Sequence, residues 1–280
     1  MNDKTPVEAS KWLPPGTFDG QRVVVTGGGT GLGLEISRGF ADLGASVAIL
    51  SRSPEHHTEL LDEARLRGWN VHSFACDVRE HEAVARAAEE ATRALGGVDI
   101  LVNNAAGNFV CPTERLSANA WRAVLGIVLD GTFYCSRDFG KVMIAAGGGQ
   151  IFNVVATYAW TGMPGVVHSA SAKAGVLTMT KTLAAEWARF GIRANAIAPG
   201  PFESAGSKSN LWPENDLEDV VRELVPLGRF ATTSEVAAQC LWVMSPASVY
   251  MTGECIVLDG GISLPKTMWE PGARVKREKE

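Results

Sequence analysis

The 280-residue chain lacks most of what would set it apart from a globular protein. No apolar run reaches the roughly 18 residues that a membrane-spanning helix needs. The opening stretch, Met1 to Gly20, has no apolar core of the kind a secretory signal carries. It is also not the Arg- and Ser-rich, acid-poor kind of transit segment. There is no basic tract and the net charge is −5, which argues against nucleic acid as a partner. There is no Cys-x-x-Cys pair. The five cysteines (Cys76, Cys111, Cys135, Cys240, Cys255) are an odd number, which points to reduced thiols in a cytoplasmic compartment rather than a disulfide framework. No break in composition and no internal repeat divides the chain.

What is present is alternation. Short apolar segments at Arg22–Thr26, Ala45–Leu50, Asn70–Ala75, Asp99–Asn103, Gln150–Val155, Arg193–Ala198 and Glu254–Leu258 read as buried strands. Between them, residues near 32–43, 55–67, 80–95, 118–145 and 168–190 have helical spacing. Strands and helices in this order predict a single α/β domain. Its doubly wound, Rossmann-type parallel sheet would carry helices on both faces. The domain is expected over 20–264, with an N-terminal extension at 1–19 and a charged, proline-broken tail at 265–280. Trp121, Trp187 and Trp242 lie on helical patterns and read as core.

The first strand runs into Thr26-Gly27-Gly28-Gly29-Thr30-Gly31-Leu32-Gly33, which opens the first helix. Glycines let the backbone turn tightly and approach a pyrophosphate, and the helix start offers free N–H groups and a positive dipole end. The second strand ends Ile49-Leu50-Ser51-Arg52-Ser53. A carboxylate there would bind the ribose 2′-hydroxyl of NAD. None is present, and Arg52 is placed to pair with a 2′-phosphate, so NADP(H) is the expected cofactor.

These motifs, spread over residues 20–264, resemble the short-chain dehydrogenase/reductase family. The glycine loop has the TGxxxGxG spacing. Asn103-Asn104-Ala105-Ala106-Gly107 is similar to the NNAG strand end that lines the cofactor, Pro199-Gly200-Pro201 to the PG loop, and Asp259-Gly260-Gly261 to the C-terminal DGG. The resemblance implies that Asp77, with Val78 beside it, faces the adenine and that Ser204 meets the nicotinamide amide. It also implies a homotetramer, built through the long middle helices and the C-terminal strand region.

The catalytic positions depart from that family's pattern together. The tyrosine normally found four residues before the lysine (Lys173) is Ser169, the usual serine is Ala156, and the usual asparagine is Val128. A tyrosine reappears at Tyr158. Gly107-Asn108-Phe109, Pro112 to Ser117, Thr157-Tyr158-Ala159 and Ser169 to Gly175 resemble the mitochondrial-type 2,4-dienoyl-CoA reductases, auxiliary enzymes of fatty-acid β-oxidation. That resemblance implies Tyr158 as the catalytic tyrosine, Asn108 as its partner, and Lys173 with Ser169 completing a site for an acyl-CoA. Enoyl-acyl carrier protein reductases carry their tyrosine seven residues before the lysine, where this chain has Val166.

Other readings stay open. Tyr158 could be a buried tyrosine with its hydroxyl tied off, Asn108 a turn cap, and His168 either a stand-in acid or structural. Cys111 could lie near the substrate, and Trp160 and Trp212 could line an acyl pocket. The loop Glu203–Asp216 is expected to be a mobile lid whose Lys208 could meet a CoA phosphate. The protein could also reduce a simple carbonyl with a relocated acid, or hold the cofactor without catalysis.

Overall fold

The computed structural model describes residues 8–204, 221 and 223–264. Of the expected lid only Glu203 and Ser204 fall among them. Lys208, Trp212 and the 265–280 tail lie outside the described residues.

The strands are β1 (Arg22–Thr26), β2 (Ser46–Ser51), β3 (Val71–Ala75), β4 (Ile100–Asn103), β5 (Gly149–Val154) and β6 (Ile192–Pro199). Two short ones follow, β7 (Phe202–Glu203) and β8 (Ala231–Thr232), and then β9 (Cys255–Leu258). Seven form one sheet in the order β3-β2-β1-β4-β5-β6-β9, all parallel, while β7 and β8 pair separately. The helices are α1 (Gly31–Asp42), α2 (Thr58–Arg67), α3 (His81–Leu95), α4 (Ala118–Leu125), α5 (Gly131–Ala146), α6 (Tyr158–Thr161), α7 (Val167–Trp187) and α8 (Thr233–Met244). The expected doubly wound α/β fold is therefore present.

Side-chain alternation along β1 shows why both faces must be covered. Val23 and Val25 pack with Ile36 and Phe40 of α1 and Leu241 of α8. Val24, between them, packs with Val84 and Ala88 of α3 and Phe139 of α5. All three valines are fully buried, and each such side chain contributes roughly 1.5–3 kcal/mol relative to exposure.

Three details differ from the sequence expectation. The single helix expected over 118–145 is split by a five-residue π-helical stretch, Gly126–Asp130. Within it the Val128 carbonyl accepts from the Thr132 hydroxyl at 2.7 Å, a side-chain bond that competes with the regular ladder. Of helix α8 the sequence offers only the helical pattern around Trp242. Its start is set by a capping box in which Thr232 and Glu235 satisfy each other's backbone N–H groups. Trp242, on α8, is exposed rather than core.

Candidate active site

β1 is flanked by β2 and β4, so successive connections leave it in opposite directions. The crevice opens at the carboxyl ends of these strands, the usual ligand position in such sheets. The glycine loop crosses this point. A Cβ on Gly29 would lie 1.9 Å from the His56 carbonyl oxygen, and one on Gly33 would lie 2.1 Å from the Gly27 carbonyl oxygen, so neither position admits a side chain. Thr30 and Gly31 are exposed at the start of α1, and the Thr30 side chain leaves the first-turn N–H groups uncapped. Leu32 is buried and anchors the turn.

The loop is clamped from β4. Thr26 Oγ1 accepts from the backbone N–H groups of Asn104 and Ala105, both at 3.0 Å, and Asn104 Nδ2 donates to the Thr26 carbonyl at 3.0 Å. Ala106 is exposed beyond this clamp, and Gly107 leads on to Asn108. On the far side of the crevice the Gly200 N–H donates to the Leu258 carbonyl at 2.9 Å, which fixes the Pro199-Gly200-Pro201 turn beside β9. Asp259 in turn accepts from the N–H groups of Gly261 and Ser263. The glycine loop, the segment 104–107 and the Pro199-Gly200-Pro201 turn all follow the carboxyl ends of their strands, and the Gly29 and Gly33 positions leave room for backbone only.

At the third strand end Asp77 is tied to Arg79 by a forked ion pair, its closest contact 2.5 Å, and this pairing holds its carboxyl below the usual range. Val78 is buried against Gly131 of α5. Arg52 is exposed and pairs with no carboxylate among the described residues.

Three of the four expected catalytic residues meet. Tyr158 opens the short helix α6 after β5, and its Oη accepts from Asn108 Nδ2 at 3.3 Å. The Asn108 amide is oriented by its other end, because Oδ1 accepts the Phe109 N–H at 2.9 Å. Ser169 Oγ, on α7, lies 3.1 Å from Tyr158 Oη and is almost wholly buried. Burial pushes the Tyr158 pKa up and outweighs the pull of these two hydrogen bonds, so the phenol stays protonated at neutral pH.

Lys173 lies one helical turn further along α7. Its Nζ donates to the Val154 carbonyl at 2.5 Å and makes no bond to Tyr158. The residue is 6% exposed, and burial lowers the ammonium pKa to about 8.

Sequence reading had not suggested the support beneath this cluster. Asn103 Nδ2 donates to Asn153 Oδ1 at 2.9 Å and to Ser136 Oγ at 3.0 Å, and Asn153 Nδ2 donates to Thr180 Oγ1 at 2.8 Å. This buried chain joins β4, β5, α5 and α7: Ser169 and Lys173 lie on α7, Asn108 follows β4 and Tyr158 follows β5. Its signal was polar residues in otherwise apolar strands. His168 is fully buried with its ring edge on Phe109, the centroids 4.4 Å apart. Burial keeps it neutral, and neither ring nitrogen has a partner among the described residues, so it does not act on Tyr158 as an acid. Val166, where an enoyl-acyl carrier protein reductase would carry tyrosine, is buried in full. The Cys111 N–H donates to the Gly165 carbonyl at 2.8 Å, and Trp160 is exposed on α6.

The sequence family described as "Enoyl-(Acyl carrier protein) reductase" matches residues 27–263. The chain belongs to the short-chain dehydrogenase/reductase family. This short-chain oxidoreductase is 44% identical over 241 residues to a probable 2,4-dienoyl-CoA reductase of Bacillus subtilis, covering 85% of this chain and 95% of that one. It is 36% identical over 272 residues to a peroxisomal 2,4-dienoyl-CoA reductase of Arabidopsis thaliana, covering 94% and 91%. Its fold is similar to that of a gluconate 5-dehydrogenase from Burkholderia cenocepacia in complex with NADP and tartrate, with a TM-score of 0.83 at 33% identity, covering 88% and 96%.

Proposed function

We propose that the protein is an NADPH-dependent 2,4-dienoyl-CoA reductase. The observation that carries this reading is the convergence of Asn108, Tyr158 and Ser169 on one hydroxyl. Asn108 donates to the phenol oxygen, because the Phe109 N–H on Oδ1 orients the amide so that Nδ2, a donor only, faces Tyr158. The 3.1 Å contact to Ser169 allows either hydroxyl to donate, and in the arrangement where Ser169 donates both lone pairs of Tyr158 Oη are engaged. The phenolic proton is then free to point at a substrate.

A bound nicotinamide cofactor supplies a hydride. Added to the far end of a conjugated dienoyl thioester, that hydride pushes electron pairs along the chain to the thioester oxygen. The site's task is to hold the resulting dienolate oxygen with fixed donors, which Tyr158 provides and Asn108 supports. The dienolate carbon takes its proton from water, so no side chain has to give up a proton for good. This accounts for a site without the usual serine and helix tyrosine. In this reading Lys173 holds the cofactor ribose and, through its charge, favours donation by Tyr158. Arg52 pairs with the 2′-phosphate.

The five free cysteines fit a reducing, cytosol-like compartment. A homotetramer through α5 and β9 belongs to the same proposal, and Phe133 and Val257 on those elements are exposed in the single chain.

The test is oxidation of NADPH by a short 2,4-dienoyl-CoA, with simple ketones as the comparison. Tyr158→Phe should lower kcat by on the order of a hundred- to thousandfold, as loss of one oxyanion donor does, and leave NADPH binding unchanged. Turnover of ketones but not of dienoyl-CoA would replace the reading with that of a carbonyl reductase. Full activity in Tyr158→Phe would remove the mechanism.

A further inference from the structure

The end of β2 carries a second polar arrangement, remote from the catalytic cluster. Ser51 closes the strand, and its Oγ lies 2.6 Å from Nε2 of His57. The same hydroxyl donates to the Ser53 carbonyl at 3.3 Å. His57 ends the one-turn 3-10 helix Pro54–His57 and is 5% exposed, unlike His56 before it. This turn presses on the glycine loop, since the His56 carbonyl fills the space where a Gly29 side chain would stand. Arg52 lies between the two serines in sequence, is exposed, and acts on Asp77 only through its charge, with no ion pair between them. The neighbouring carboxylate, Asp77, is taken up by Arg79.

A serine hydroxyl beside an imidazole nitrogen has two arrangements. Either the serine donates its proton to the ring, or a ring N–H donates to the serine oxygen. In the first, the serine turns lone pairs outward and repels an anion. In the second, its proton is free to bind one. The contact from Ser51 Oγ to the Ser53 carbonyl belongs to the second arrangement, because a hydroxyl has one proton and it is directed away from His57. At 3.3 Å that contact is long, so a charged acceptor can displace it at little cost.

We infer that His57 is a positioning residue for the cofactor's 2′-phosphate. Its Nε2–H donates to Ser51 Oγ and turns the serine proton outward, where it joins the Arg52 guanidinium in binding a phosphate monoester. Desolvation and the neighbouring His56 charge hold the imidazole pKa down, more strongly than the nearby Ser51 backbone and Glu55 charge raise it, so at neutral pH His57 does this as a neutral ring. The inference rests on the NADPH reading above.

The experiment is equilibrium titration by cofactor fluorescence of NADPH and NADH against the full-length protein and its His57→Leu and His57→Gln variants. His57→Leu removes the donor and should weaken NADPH about tenfold, the worth of one hydrogen bond to a charged group, while NADH changes by less than about twofold. His57→Gln keeps an N–H near Ser51 and should recover most of the loss. Equal losses for both cofactors, or none, would overturn the role of His57. A second measurement on the wild-type protein needs no variant to fold: 15N resonances of His57 should show the Nε2-protonated pattern already in the free protein, and shift on adding NADPH but not NADH. Resonances that respond alike to both cofactors would also overturn it. Wild-type protein that binds the two cofactors equally would sink the NADPH reading itself. A wild-type preference for NADPH that survives intact in His57→Leu would remove His57 alone.

Discussion

Lys173 carries a charge that burial works against. Its pKa of about 8 lies below the ordinary lysine value of 10.5, so the charged form is lost as pH rises through 8. If that charge biases Tyr158 toward donation, kcat/KM should fall above about pH 8 in a pH–rate profile on the free enzyme. A profile flat to pH 10 would refute the role. Stability runs the other way. Between pH 8 and 10.5 the unfolded chain binds more protons than the folded one, so the folded state gains stability as pH rises across that window. Tyr158 and Lys173 were legible in the sequence because the residues around them match a family pattern. The pairing of Asp77 with Arg79 and of Ser51 with His57 was not. Both depend on which way a short turn folds back, and one-dimensional spacing does not encode that direction.

Among the elements, the glycine loop and the turn after β2 act as one unit. Gly29→Ala would drive a methyl group into the His56 carbonyl, 1.9 Å away, and the turn would have to withdraw. NADPH affinity should fall by at least about tenfold, with far-UV circular dichroism unchanged because the clash is local. Retained affinity would mean that the loop and the turn are not coupled. The strands and most of the helices could be read in advance, because each strand of the main sheet carries a short apolar stretch, and helical spacing separates one from the next. Helix α8 could not, since it is apolar on most sides and its start depends on the Thr232–Glu235 cap. The π-helical stretch at Gly126–Asp130 was hidden as well, because helical spacing continues through it in the sequence.

For the molecule as a whole, residues 8–19 are part of the packing. Ala9 and Phe18 are buried in the main core cluster, and the Phe18 ring meets Phe40 of α1 edge-on at 4.7 Å. Ser10 Oγ donates to Asp42 at the end of α1 at 2.6 Å. Phe18→Ala should cost about 3–5 kcal/mol in urea denaturation, the range for truncating a buried aromatic, and leave NADPH affinity untouched. A loss below about 1 kcal/mol would mean that the segment only rests on the surface. Nothing in the composition of this stretch distinguished it from a loose end. Its one large apolar anchor, Phe18, is surrounded in sequence by glycine, threonine and aspartate.

Ser169 and Tyr158 hold a steric consequence. Their oxygens are 3.1 Å apart, and Ser169 is sealed under the loop that carries Asn108. A phenol restored at position 169 would claim the volume that the Tyr158 hydroxyl fills. The two ways of building this site exclude each other. A tyrosine at 169 beside Tyr158 would leave no room for both hydroxyls.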